Sequence, residues 1–442
     1  MSLFFVSILL CFTIFLVILF SAKYKLNSFV VLFGASLILA LIALPADLAV
    51  KKMKDEFGNT MGSIGLLIIL GAFIGIALDE SGAMNAIARF VLSKTGTRRS
   101  KLAIAITGYI TGLPIFCDSG YIILSGLANS FASIGRIPIA VMASVLATSL
   151  YSVHCLIPPH PGATAAAGIM EVNMGNLILA GTLVAIPTAI AAYAWIHFAG
   201  KKLKFSDVNG QINEPFHDSN IYPSVWKSLL PILIPLTIIT VKSLWLLMGW
   251  NSVSRAGKTI LFIGDPVIAL SIGACIILFL PGMMQFDRLN RLFSQTLEKA
   301  GPVLIITAAG GMFGAIIKDT GVGDYAGKWL GETGMGLLVP FILAAFLKTA
   351  QGSSTVAIIT AASIVSPMVG SLGLDSSMGK MLATLAMGAG SMVFSHANDS
   401  YFWVITKFSN LQPGSTLRVY STATVVMGVT AFFMVWILKM LV

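Results

Sequence analysis

Long apolar runs, parted by short polar stretches, recur from one end of the chain to the other. Leu3–Phe20, Ser28–Pro45, Ile64–Leu78, Leu177–Phe198, Leu229–Leu247, Ile260–Leu280 and Ser421–Leu441 are the clearest. Most approach or reach the length of about 17–25 residues that a helix needs to cross a hydrocarbon core. The pattern predicts an all-α polytopic membrane protein with about ten transmembrane helices. Two apolar segments are broken in an unusual way, at Gly112-Leu-Pro-Ile-Phe-Cys-Asp118-Ser-Gly120 and at Gly352-Ser353-Ser354-Thr355. Backbone that leaves helical geometry at membrane depth is tolerated only where it lines a cavity or is buried in protein. The breaks therefore predict two re-entrant hairpins, near 102–133 and 335–371. Paired interruptions in two halves of a chain point to a transporter's binding site.

The halves carry a weak internal repeat. Gly71-Ala-Phe-Ile-Gly75 followed by Asp79-Glu80-Ser81-Gly82 matches Gly310-Gly-Met-Phe-Gly314 followed by Lys318-Asp319-Thr320-Gly321, and Arg89 then matches Lys328. Further on, Pro158-Pro-His160-Pro161 faces Ser395-His396-Ala-Asn398-Asp399 as a second pair of breaks. The expected organisation is N-terminal helices over 1–59, a first repeat over 60–200, a polar cytoplasmic linker over 201–222, linking helices over 223–301 and a second repeat over 302–442. The first run lacks a basic leader and a clear cleavage site, so it is expected to be a retained helix. Basic residues gather on the cytoplasmic side of membrane proteins. Placing Lys23, Lys25, Lys94, Arg98, Arg99, Lys101 and Lys201–Lys204 there makes the two repeats inverted. The basic run Lys51-Lys52-Met-Lys54 falls on the wrong side of that arrangement.

Composition narrows the function. The chain is 57% hydrophobic and 10% charged, far below the roughly one-quarter charged residues of a soluble domain. Its formal net charge of +10 is explained by short basic loops at a membrane surface, so no nucleic-acid partner is expected. Cys11, Cys117, Cys155 and Cys275 lie apart without paired spacing, which argues against disulfides and metal alike. No phosphate-binding GxxxxGK[ST] loop is present, so energy would come from an ion gradient. No cofactor is implied.

Charged groups at membrane depth are costly, so each asks for a reason. Asp118 reads as a proton carrier or a substrate hydrogen-bond partner, or as a plain cap for a half-helix. The small residues Gly352, Ser353, Ser354 and Thr355 suit a carboxylate docked on hydroxyls and free N–H groups, or simple close packing. Histidine titrates near neutral pH and suits proton coupling. His160 sits among prolines, where capping competes with function; His396 stands beside Asn398 and Asp399. His154 reads as structural. No nucleophile–base set supports an enzyme, and the polar groups do not form the continuous ring of a channel.

At these residues the chain resembles the gluconate permease family of bacterial proton symporters. The resemblance rests on Gly112–Gly120, on His154-Cys-Leu-Ile-Pro-Pro-His160-Pro-Gly162-Ala-Thr164, on Gly352-Ser-Ser-Thr-Val-Ala357 and on Phe394-Ser-His396-Ala-Asn398-Asp399-Ser-Tyr-Phe402-Trp. It implies an inner-membrane carrier that imports a small hydroxy-carboxylate with a proton. It also implies a homodimer with a scaffold and a moving transport unit. Gluconate or a related sugar acid is the expected substrate, with glycerate or D-serine as alternatives, and a passive anion channel as the contrasting class. Ser119, Tyr121 and Ser354 depart from the commonest pattern and point to a smaller or more polar pocket. The expected substrate contacts are Asp118, Ser119, Thr164, Gly352, Ser353, Ser354, Thr355 and Asn398. The expected proton-coupling candidates are Asp118, His160, His396 and Asp399. On this reading Asp118→Asn abolishes uphill accumulation.

Overall fold

The structure is a computed structural model. It describes residues 12–13, 15–17, 19–20, 24, 26–96, 99–114, 116–202, 223–248, 250, 252–319, 336–396 and 399–441, and gives the backbone alone at 46, 64, 92, 130, 134, 202, 247, 318 and 351. Among the described residues every regular element is helical. In chain order these are α1 (Ser28–Ala43), α2 (Ala46–Glu80), α3 (Ala83–Thr95), α4 (Ser100–Gly112), α5 (Cys117–Gly135) and α6 (Ile139–Leu156). Next come α7 (Pro161–Ile169), α8 (Met174–Ala199), α9 (Val225–Leu247), α10 (Arg255–Ile263), α11 (Pro266–Ile277) and α12 (Phe286–Asp319). The last are α13 (Leu338–Gln351), α14 (Ser354–Val365), α15 (Ser377–Met392), α16 (Ser400–Phe408), α17 (Pro413–Thr416) and α18 (Thr422–Leu441), the final two joined by a π turn.

Five helical segments of the described chain are long and apolar enough to cross a membrane, or up to seven if each bent pair is one span. Several others, including α1, α13 and α14, are apolar but shorter. What they bury separates the helices into two kinds. Every residue of α6 from Ala140 to Leu156 is buried, as is every residue of α15 from Met381 to Met392. A helix apolar all round is at home only in the middle of a bundle. By contrast, α8 and α9 expose Leu183, Ile186, Ile190, Leu230 and Leu233. That apolar outer surface has its natural solvent in lipid.

Around the two central helices the same order of elements appears twice. The hairpin of α4 and α5 packs on α6, and the pair of α13 and α14 packs on α15. Each central helix then breaks and continues as a short helix, α6 into α7 across Ile157–His160 and α15 into α16 across Val393–Asp399. Prolines explain the first of these breaks, because they deny the backbone its hydrogen bonds. The long helices α2 and α12, which carry the repeated Gly motifs, pack on one another. Their glycines let other chain segments come close: Gly71 meets Pro159 at the break after α6, while Gly310 and Gly314 meet Ile359 and Ser363 of α14.

The polar linker 203–222 and residues 320–335, with Thr320, Gly321 and Lys328 of the repeat, lie outside the described residues. In the basic run that strained the charge-based topology, Lys51 and Lys54 are exposed, while Lys52 is half-buried and paired. Lys52 pairs with Glu56 at 3.2 Å and with Asp319 at 3.1 Å. A lysine engaged in ion pairs within the protein reports less on membrane sidedness than a free loop lysine.

Candidate functional site

Both hairpins break where a helix must stop and restart. After α4 the chain turns through Leu113 and Pro114, and α5 begins at Cys117 without a side-chain cap. After α13 the chain passes through Gly352 at φ +82°, a left-handed conformation that glycine adopts without strain. There α14 starts with Ser353 as its cap, the hydroxyl accepting from the Val356 N–H at 3.3 Å. The first N–H groups of a helix lack intrahelical partners and carry the positive end of its dipole.

The starts of α5 and α14 border one cavity of about 410 Å³. Asp118 and Ser119 line it from α5, Ser353 and Thr355 from the second break, His154 from the end of α6, and Lys299 from α12. Phe116, Val303, Ile306, Val356 and Ile359 supply the apolar wall. Its size falls at the lower end of ligand pockets, about 300–1,000 Å³. Lys299 Nζ donates to Ser119 Oγ at 3.2 Å. Among the described residues Asp118 has little holding it, the Cys117 thiol at 3.9 Å from Oδ1. The cavity thus offers one cation, one sparsely partnered carboxylate, three hydroxyls, an imidazole and two helix starts.

His154 and His160 form a chain leading away from the cavity. His160 Nε2 lies 2.7 Å from the Gly112 carbonyl, and His154 Nδ1 lies 3.3 Å from His160 Nδ1. Thr355 Oγ1 lies 3.4 Å from His154 Nε2. A carbonyl only accepts, so His160 carries its proton on Nε2, and with both rings neutral His154 donates from Nδ1. Thr355 then donates to His154. The second break is joined in this way to the end of α4, where the first break begins.

A second network holds the far side of the second break. Lys348, in the last turn of α13, places Nζ 2.5 Å from Asp399 Oδ2 and 2.9 Å from the Gly352 carbonyl oxygen. The two side chains are 1% and 4% exposed. Asp399 also accepts from Ser395 Oγ and, at 3.0 Å, from the Tyr401 N–H, capping α16. The ammonium stands 5.7 Å above the centre of the Tyr151 ring.

Several expected site residues take other places. Thr164 does not reach the cavity; it faces a separate apolar crevice with Pro158, Pro159 and Met174, its hydroxyl buried without a partner among the described residues. Ser354 turns toward Tyr151 and Cys155 of α6. Gly352 contributes its carbonyl to Lys348 and not a surface to the cavity. His160 is buried behind His154, His396 lies tilted against Phe394 with ring centres 5.1 Å apart, and Tyr121 bonds Ser409 at 2.5 Å. Asn398 lies outside the described residues. Two cavity residues went unread in the sequence: His154, which reads there as structural, and Lys299, hidden in a polar helical stretch. Among the described residues no group of His, Cys, Asp and Glu could hold a metal ion.

At the other end of α12 and α14 lies a second cavity of about 470 Å³. Lys52, Glu56, Glu171 and Asp319 give it a charged lining, with Ser366 beyond the end of α14. Between the two cavities α12 and α14 meet at Gly310, and Gly314 borders the second cavity where it meets Ser363. A methyl built on Gly310 would come within 2.8 Å of Ser363 Oγ and 2.9 Å of Ile359.

Comparison with known proteins fits this layout. The chain matches the family described as GntP family permease over residues 5–441. It is 30% identical to a high-affinity gluconate transporter of Escherichia coli, over 97% of this chain and 98% of that protein. It is 29% identical to the L-idonate transporter of the Gnt-II system of the same organism, covering 92% of each. The crystal structure of the Alcanivorax borkumensis YdaH transporter, described as having an unusual topology, superposes with a TM-score of 0.66. That alignment covers 93% of this chain and 98% of the other at 15% identity, so it speaks to the fold alone. The chain belongs to the GntP family permeases, and is a multi-pass membrane transporter of the bacterial inner membrane, not an enzyme.

Proposed function

We propose that this protein imports a small hydroxy-carboxylate, gluconate or a related sugar acid, by proton symport. The observation that carries the reading is the cavity where both hairpin breaks converge, with Lys299, Asp118, Ser119, Ser353, Thr355 and His154 on its wall. Lys299 and the two helix starts favour the substrate carboxylate. Asp118, Ser119, Thr355 and His154 offer the acceptors and donors that a polyol chain needs. A pocket built to bond hydroxyls rejects analogues lacking them, because its own polar groups would be left unpaired. The relatives named for gluconate and L-idonate transport support a sugar acid over D-serine.

The proton carrier belongs to the set Asp118, His160, His396 and Asp399. Substrate and proton would cross by movement of the hairpin unit against α2 and α12 and their neighbours. The two halves are inverted repeats in this reading, and the carrier works as a homodimer. The test is uptake into proteoliposomes under an inward proton gradient, with labelled gluconate, L-idonate, glycerate and D-serine in parallel. Accumulation of a sugar acid, abolished by a protonophore, is the expected result. Equilibration without accumulation would favour a passive anion channel instead.

A further inference from the structure

We infer that the buried pair Lys348–Asp399 is the coupling site, with Lys348 as a fixed internal cation that makes proton and anion enter together. This rests on the symport reading above and names the group that performs it.

The pair is saturated in the ionised form. Lys348 has a carboxylate, a carbonyl and an aromatic face around its ammonium; Asp399 has the ammonium, a hydroxyl and a backbone N–H. The empty site is therefore neutral and closed. Gly352, whose carbonyl Lys348 holds, is followed directly by Ser353 on the cavity wall. When a proton from solution adds to Asp399, one O–H bond forms and the carboxylate becomes a neutral acid. Lys348 is left as an uncompensated positive charge beside the break where the substrate carboxylate docks. An anion then restores neutrality.

Both complete states carry no net charge at this locus: Lys348 with ionised Asp399, or Lys348 with protonated Asp399 and a monoanion. Each half-loaded state buries an unbalanced charge, which a low-dielectric interior penalises heavily. Proton and anion therefore bind cooperatively, and reciprocally. Release of the anion on the other side drives the O–H bond of Asp399 to break and returns its proton to solution there.

The titratable groups facing the pair are Cys117 and Asp118 on α5, Tyr151, His154 and Cys155 on α6, and Tyr420 in the π turn. Asp118 is the rival carboxylate among them. It has a cavity wall position and no cation bound to it, so its protonation does not expose a buried countercharge.

The experiment compares wild type, Asp399→Asn, Asp118→Asn, Lys348→Met and the paired replacement Lys348→Met with Asp399→Leu in proteoliposomes. It uses labelled gluconate, or whichever hydroxy acid wild type accumulates. For wild type, the gluconate KM falls as the outer solution is acidified. Asp399→Asn fixes the protonated form: exchange of internal for external gluconate persists, its KM no longer follows pH, and accumulation falls to the equilibrium level. Lys348→Met weakens gluconate binding by about a hundredfold. The paired replacement keeps the site neutral without a charge to expose. It folds by gel filtration and exchanges gluconate weakly, without accumulation. Asp118→Asn still accumulates, with a raised KM. Proton-driven accumulation by Asp399→Asn, or by the paired replacement if Asp399→Asn fails to fold, overturns the inference and leaves the symport reading intact. Wild type that accumulates no hydroxy acid under the gradient overturns both.

Discussion

Asp118 and Asp399 are both carboxylates at the start of a helix beside a break, and their surroundings are opposite. Asp399 is almost wholly enclosed and meets an ammonium, a hydroxyl and a backbone N–H. Asp118 faces a cavity of about 410 Å³ and, among the described residues, has one distant thiol as its partner. A carboxylate bonded on every side has its protein interactions complete, and can only change state by breaking them. One left with open lone pairs in a cavity is available to a ligand. On the coupling proposal above, this difference is what casts Asp399 as the switch and Asp118 as the binding group.

Breaking the comparison at the saturated end has the largest expected effect. Lys348→Met strands a buried carboxylate, and removing one partner of a buried ion pair costs about 3–5 kcal/mol. A fall in melting temperature in detergent should follow. Adding Asp399→Leu should recover most of the loss, because an apolar pair of similar volume can replace a buried ion pair without penalty. Failure to recover would mean that the pair is needed for folding in its own right.

Asp118→Asn is the counterpart at the open end. It should leave the melting temperature near that of wild type while raising the substrate KM about tenfold to a hundredfold, the effect of losing one charge-assisted hydrogen bond of about 1.5–3 kcal/mol. A large loss of stability with no change in KM would reverse the two roles. Ser353→Ala sharpens the contrast further. It removes both a cavity hydroxyl and the cap of α14, so about 1 kcal/mol of stability and a severalfold rise in KM should go together.

The smallest effect is expected at Thr164. Its hydroxyl is buried in the apolar crevice without a partner among the described residues. Thr164→Val removes an unsatisfied group, so uptake should be unchanged and stability equal or better by a few tenths of a kcal/mol. A raised KM in this variant would restore Thr164 as a substrate contact.

The interruptions were legible in the sequence because Gly, Pro and Ser at membrane depth contradict a continuous helix. The all-α membrane character was equally plain from the apolar runs. The partners were not. Lys348 and Asp399 lie 51 residues apart, and nothing local marks one as the counter-ion of the other. Lys299 sits in the polar stretch Gln295-Thr-Leu-Glu298-Lys299, which looks like solvated helix until α12 is seen to run past the cavity. His154 looked structural because it ends a buried apolar helix. Its role depends on Thr355, on a distant element. Thr164 was read into the site by its motif, but the short helix α7 turns it to the other side. Periodicity reports which residues are buried; it does not report what they meet.

The narrow contact of α12 with α14 between the two cavities has a consequence for the living cell. At Gly310 the helices touch through glycine backbone against the Ile359 and Ser363 side chains, and at Gly314, on the wall of the second cavity, backbone against Ser363 backbone, with no room for a methyl group at either. In the alternating-access reading proposed above, a passage joining the two cavities would let ions leak through every copy the bacterium makes. Selection at these glycines is then set by leakage, and a substitution such as Gly314→Ala would slow growth in proportion to expression, whether or not any nutrient is present.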